Sequence, residues 1–142
     1  MSDLLKKAHL AKQIRNKVER YAKATGHRDD LQGLCLVASF AMAKLFKANG
    51  YVADVACTVV LHDCEWTVGH CWVVSEGTVF DVTATQFGWP FRVLLYKSPA
   101  EYRDLIYDEV FEEYHVPSAK ANNPLFRGDI KMSKMVQDVL GQ

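Results

Sequence analysis

GHCWVVSEGTVFDVT, residues 69–83, reads as two short β-strands joined through Ser75-Glu76-Gly77-Thr78. Val, Phe and Trp favour the pleated backbone, and Glu-Gly supplies the turn. With Val74 opposite Val79, the side chains of His70, Trp72 and Asp81 point to one face, and Cys71, Val73, Phe80 and Val82 to the other. The second set is an ordinary core surface. The first places an imidazole and a carboxylate on diagonal positions, roughly 7–8 Å apart at the backbone, which the two side chains can bridge. A slip of one residue would carry Asp81 over to the face of Cys71 and break the pair. The pairing therefore requires an even loop; a three-residue loop with Gly77 in a bulge would give the slipped register.

The elements around this hairpin follow from local patterns. Upstream, Leu4, Ala8, Ala11, Ile14, Val18, Tyr21 and Ala22 recur at helical spacing over residues 3–24, and Gly26 ends the run. A second helix is expected from Leu34 to Asn49, stopped by Gly50. It opens LCLVASFAMA, apolar or small on every side, which belongs at the centre of a domain. Val52 to Leu61 reads as a strand, HDCEWTVG as a loop, and FRVLLY as a further strand. Ser98-Pro99-Ala100-Glu101 starts a helix, with Ser as cap, Pro in the first turn and Glu three after the cap, running to about Tyr114. Residues 117–124 are expected as a loop, and Ile130 to Leu140 as a closing helix. Helices flanking a block of antiparallel strands make an α+β domain.

The 142 residues suit a single domain spanning 1–142, large enough to bury a core without disulfide staples. Seventeen basic and 17 acidic side chains cancel, so no basic field points to nucleic acid. The N-terminal stretch has a charge every few residues and lacks the apolar core of a signal peptide or membrane span, so a cytoplasmic protein without membrane association is expected. In that compartment Cys35, Cys57, Cys64 and Cys71 are free thiols, ligands or a nucleophile rather than a disulfide framework.

Cys35 stands at the first turn of the apolar helix, after Gly33. The unpaired N–H groups and the dipole of a helix start favour thiolate, the nucleophilic form. The same N–H groups can hold an oxyanion during acyl transfer, and Gln32 can add an amide donor. A carboxylate on one imidazole nitrogen fixes the tautomer and leaves the other nitrogen for the thiol proton. Against this stand plainer readings: Cys35 as a small buried hydrophobe, His70 as a core histidine, Asp81 as a turn cap.

The pieces GLCLVASFAMAKLFKANGYVADV, GHCWVV and GTVFDVTATQF resemble the transglutaminase-like branch of the papain-like cysteine enzymes. That family has a Cys opening a helix, a Gly and a strand after the helix, a strand carrying His and an aromatic, and a strand with Asp-x-Thr. The resemblance covers residues 31–88 as a catalytic core. It implies a central helix packed on a small antiparallel sheet, with Cys35 as nucleophile, His70 as base and Asp81 as orienting acid. Trp72 matches the aromatic after the His. Gln32, Trp72 and Gln86 are the candidates for oxyanion or substrate contacts. The sequence departs from the family pattern at Leu34 and Leu36, where an aromatic often flanks the Cys, and at Cys71, where Ala often follows the His.

The expected chemistry is cysteine-dependent acyl transfer at an amide or peptide bond through a thioester, without metal or cofactor, on a peptide, protein or small amide substrate. Water as acceptor makes a peptidase, amidase or deamidase; an amine makes a transamidase. Two rivals remain: a non-catalytic binding module on the same fold, and a zinc site drawn from Cys57, Cys64 and Cys71 with His62 and His70, although no tight Cys-x-x-Cys knuckle occurs. Trp66, Phe87, Trp89 and Tyr96 are either acyl-pocket walls or ordinary core and rim. His62, Asp63 and the run Glu109, Glu112 and Glu113 are expected in solvent.

Overall fold

The computed structural model describes residues 2–62, 65–110, 115–120 and 130–142. Two helices come first, α1 (Asp3–Thr25) and α2 (Cys35–Ala48), then strands β1 (Asp54–His62), β2 (Glu65–Ser75) and β3 (Thr78–Asp81). A 3-10 turn (Ala84–Phe87), β4 (Leu94–Tyr96), α3 (Pro99–Val110), β5 (His115–Lys120) and α4 (Ile130–Leu140) complete the order. The strands form one antiparallel sheet in the order β4-β3-β2-β1-β5, so the chain is α+β.

The period of two in β2 and β3 sorts their side chains between two cores. Cys71, Val73 and Phe80 join the main core with Ile14 and Val18 of α1, Cys35, Val37, Ala38, Met42 and Phe46 of α2, and Val136 and Val139 of α4. Trp72 and Val79 face the other way and pack on Tyr102 and Ile106 of α3. The sheet thus separates a three-helix layer from α3. The central helix α2 is buried because its residues are apolar or small all round: Val37, Ala38, Ala41, Met42 and Phe46 are each at most 1% exposed.

Pairs Val73↔Phe80, Val74↔Val79 and Ser75↔Thr78 give the register expected from the alternation. Its cause is the turn. Glu76 (φ 48) and Gly77 (φ 79) both take left-handed backbone, as a type I′ two-residue hairpin requires. Glu76 pays a local strain there that glycine would not, and its carboxylate is held by Lys7 of α1 at 2.7 Å.

Two segments differ from their sequence reading. Residues 65–69, expected in a loop, continue β2 and pair with β1 through Val59↔Val68, Val60↔Thr67, Leu61↔Trp66 and His62↔Glu65. Val, Thr, Leu and Trp on both sides favour the ladder over the loop that the polar residues between them suggested. Residues 115–120, partly expected as a loop from Pro117, form the edge strand β5 on β1. An edge strand tolerates Pro because the missing N–H need not enter a ladder. Asp63, Cys64, Glu112 and Glu113 lie outside the described residues, as do the side chains of His62, Trp66, Glu109 and His115.

Candidate active site

β2 does not run evenly past β1. Cys57 pairs with Cys71 and Val59 with Val68, so Thr58 alone stands opposite Gly69 and His70. The extra residue makes a β-bulge, which twists the strand and re-aims its side chains. The N–H of His70 is not lost to this break: it donates to Thr58 Oγ1 at 3.0 Å. The pairing of β2 with β3 has also ended by His70, since its last pair is Val73↔Phe80. His70 therefore sits at a frayed and twisted end of the hairpin, close to the start of α2.

The imidazole is fully buried. His70 Nε2 lies 2.5 Å from Asp81 Oδ2. The same oxygen accepts the Tyr102 hydroxyl at 2.5 Å, and Oδ1 accepts the Thr83 N–H at 2.9 Å. A buried carboxylate is costly unless such donors replace its water. Burial pushes the Asp81 pKa up, but the charge and hydrogen bond of His70, with Tyr102 and Thr83, hold it below the usual carboxylate range. Burial likewise pushes the His70 pKa down, and the Asp81 charge and hydrogen bond, helped by Cys35, carry it instead up to about 10. The Tyr102 hydroxyl is driven upward by burial and by the Asp81 charge, so it stays a donor.

With Nε2 committed to Asp81, Nδ1 is the nitrogen left for Cys35. Gln86, on the 3-10 turn, places its amide nitrogen 3.0 Å from Nδ1. The amide can donate to neutral Nδ1 or, turned over, accept from Nδ1–H of the imidazolium. Phe87 stands edge-on to the ring at 4.6 Å between centroids.

Cys35 opens α2, and the cap residue, Leu34, gives no side-chain hydrogen bond to the first turn. The first-turn N–H groups are thus left to solvent or ligand. The Cys35 thiol is held well below its ordinary pKa, first by a hydrogen bond from Cys71, then by the hydrogen bond and charge of His70, against burial. Thiolate and imidazolium therefore stabilise each other. The loop before Cys35 is tied to the turn carrying Gln86. Arg15, almost fully buried, donates to Val82 O at 2.9 Å and to Thr85 Oγ1 at 2.8 Å. Thr85 in turn donates to Asp30 O at 3.2 Å.

A cavity of about 410 Å³ opens over the sulfur, lined by Cys35, Gln32, Gly33, Leu36, Val37, Gly69, Gln86, Met132 and Met135. The structure thus brings Cys35, His70, Asp81, Gln32 and Gln86 to one place. Trp72 is elsewhere: it is 1% exposed, in the α3-side core, and its ring sits beneath His70 at 5.8 Å between centroids. Its position is a correction of the substrate-contact expectation, and follows from alternation along β2, which turns residue 72 into the sheet–α3 layer. Its Nε1 has no partner among the described residues. Trp89 and Tyr96 line a second, apolar cavity beside α3. Among the described residues no group of three or more His, Cys, Asp or Glu is arranged to hold a metal ion.

Sequence reasoning missed Tyr102, Thr58 and the two α4 methionines. Tyr102 had a faint signal, as the fourth residue of a helix whose Ser-Pro start was plain. Thr58 and the methionines had none, because their roles depend on a bulge and on a helix some 60 residues from the hairpin packing back over α2.

No protein-family model matches the chain, and no curated protein and no solved structure matches it significantly. No helix among the described residues is long and apolar enough to cross a membrane.

Proposed function

We propose that this protein is a cysteine-dependent acyl-transfer enzyme of transglutaminase-like, papain-like design, cleaving an amide or peptide bond through a thioester. The observation that carries the reading is a buried imidazole–carboxylate pair beside a thiol at an uncapped helix start: His70 is bonded to Asp81 on Nε2, and Gln86, which bonds its Nδ1, lines one cavity with Cys35. A core histidine needs no such thiol, and a turn-capping aspartate needs no such histidine.

The Cys35 thiolate attacks the carbonyl carbon of a substrate lying in the cavity. The resulting oxyanion takes N–H groups of the first turn of α2, with the Gln32 side chain beside them. His70 Nδ1–H gives its proton to the leaving amine as the C–N bond breaks, and the thioester remains on Cys35. The neutral imidazole then takes a proton from water, whose oxygen attacks the thioester. The acid leaves, and the Cys35 thiolate and imidazolium are restored. Asp81 keeps the imidazole oriented throughout and supports its positive charge.

The test is the rate of iodoacetamide alkylation of Cys35 against pH, in wild type and in His70→Ala, with labelling assigned to Cys35 by peptide mass. Wild type should react with a midpoint well below the roughly 8.5 of a free thiol. His70→Ala should move that midpoint back toward it. Identical profiles would refute the reading.

A further inference from the structure

Helix α4 lies far from the hairpin in sequence, yet it supplies part of the wall of the cavity over Cys35. Its buried residues Val136 and Val139 anchor it in the main core with α2. Met132 and Met135 stand four residues before Val136 and Val139, one turn earlier on the same face. Both are half-buried against that core, and both line the cavity together with Cys35. The apolar stripe of α4 thus runs on past its anchor to the nucleophile. Leu36 and Val37, in the first turn of α2, complete the apolar wall.

The rest of the lining is polar but uncharged: Gln32, Gln86 and two glycines. Among the described residues no Lys, Arg, Asp or Glu lines the cavity. The buried charges of the neighbourhood are already engaged. Arg15 is bonded to Glu19, Val82 and Thr85, and Asp81 to His70 and Tyr102. A charged side chain brought into the cavity loses its water and finds no counter-charge there. An apolar one leaves water for aliphatic and thioether surface, which favours it. At about 410 Å³ the cavity falls within the roughly 300–1,000 Å³ of small-ligand sites, which are mostly apolar with a few polar groups.

We propose that this cavity is an acyl-binding site selective for uncharged, apolar acyl groups, and that Met132 and Met135 are its specificity-determining residues. The proposal rests on Cys35 as the nucleophile of the proposed function. The polar groups Gln32 and Gln86 serve the amide being cleaved, and the α2–α4 wall takes the acyl side chain. Methionine is unbranched, with a polarizable sulfur, and fills irregular space in more than one conformation. The site therefore discriminates against charge rather than among apolar shapes. Helix α4 lies outside residues 31–88, so this wall belongs to the chain's own C-terminal extension of the catalytic core.

The experiment labels the full-length protein with N-acetylglycyl-aminoacyl chloromethyl ketones carrying a leucine, methionine, phenylalanine, glutamate or lysine side chain at the acyl position. The thiolate displaces chloride from each, and peptide mass assigns the label to Cys35. Each rate is divided by the iodoacetamide rate of the same protein, which cancels differences in nucleophilicity. The three apolar reagents should react within a few-fold of one another and at least about tenfold faster than the glutamate and lysine reagents. The compound 1-chloro-5-methylhexan-2-one has the carbon skeleton of the leucine reagent without its amides. A faster peptidyl reagent assigns the acyl group to a peptide, and equal rates assign it to a simple acyl amide. Met132→Gln and Met135→Gln should each lower the leucine rate several-fold, and Met135→Lys should raise the glutamate rate at the expense of the leucine rate. A glutamate or lysine reagent as fast as the leucine reagent in wild type would overturn the proposal, with no variant needed. A leucine preference unmoved in both Gln variants would overturn the role of α4. The iodoacetamide midpoint reads the nucleophile separately: a low midpoint with no apolar preference defeats the acyl-site proposal alone, whereas an ordinary midpoint defeats the functional reading.

Discussion

Tyr102 donates its hydroxyl to the very carboxylate oxygen of Asp81 that faces His70 Nε2, at 2.5 Å. Helix α3 is thereby coupled to the imidazole through one atom. The Asp81 carboxylate cannot rotate away from His70 without also losing Tyr102, and α3 is braced against the sheet by the same bond. Tyr102→Phe keeps the ring packing on Trp72, whose centroid is 5.2 Å away, and removes only the donor. It should lower stability by about 1.5–3 kcal/mol, as expected for a hydrogen bond to a charged group. Urea denaturation measures that loss. The midpoint of Cys35 alkylation should also move, because a freer Asp81 holds the imidazolium less well. A stability change with an unmoved midpoint would make Tyr102 a purely structural brace.

Thr58 tests the bulge. Its hydroxyl is the acceptor for the His70 N–H, and Thr58 itself is buried. Thr58→Val keeps the shape and removes the acceptor, leaving a buried N–H unpaired at a cost of about 1–3 kcal/mol. The expected result is a lower urea midpoint with Cys35 alkylation slowed several-fold, while Thr58→Ser retains most of both. If Thr58→Val alkylates like wild type, the bulge does not aim His70.

Gln86 is half-buried and bonds His70 at the nitrogen needed by Cys35. Gln86→Leu should leave the unfolding midpoint nearly unchanged, because little buried polar surface is stranded. Alkylation of Cys35 at neutral pH should change several-fold, since the imidazole loses its second hydrogen-bonded neighbour. Gln86→Glu should act in the opposite sense on His70, raising its pKa further by adding a negative charge beside Nδ1. Imidazole titration followed by NMR in both variants separates the two effects, and equal titration in the two would refute the contact.

The buried pair sets two limits on stability. The Asp81 pKa is lowered on folding, so its contribution is present above the unfolded value of about 3.9 and is lost as pH falls through the folded one. The His70 pKa is raised to about 10, so its contribution is fully present below the unfolded value of about 6.5 and is lost as pH rises toward 10. Thermal unfolding from pH 3 to pH 10.5 should therefore decline at both ends. Between about pH 6.5 and 8.5 the depressed Cys35 pKa offsets this loss, so His70→Gln should flatten an alkaline decline that runs from about pH 8.5 to 10. An alkaline limb of the same steepness in His70→Gln would mean that the imidazole is not charged in the folded protein.

Much of this arrangement was legible in the chain itself. The alternation in residues 69–83 and the Glu76-Gly77 turn fix the register locally, because a two-residue turn permits one pairing and the apolar set Cys71, Val73 and Phe80 must face the core. The all-round apolar start of α2 likewise determined that Cys35 would sit at the edge of the main core, since no face of that helix can remain in water. What the tertiary structure alone decided depends on groups far apart in sequence. The bulge at Gly69 and His70 arises from how β2 meets β1, and no local propensity records it. Tyr102 reaches Asp81 because α3 covers the second face of the sheet, and Met132 and Met135 wall the cavity because α4 returns across α2.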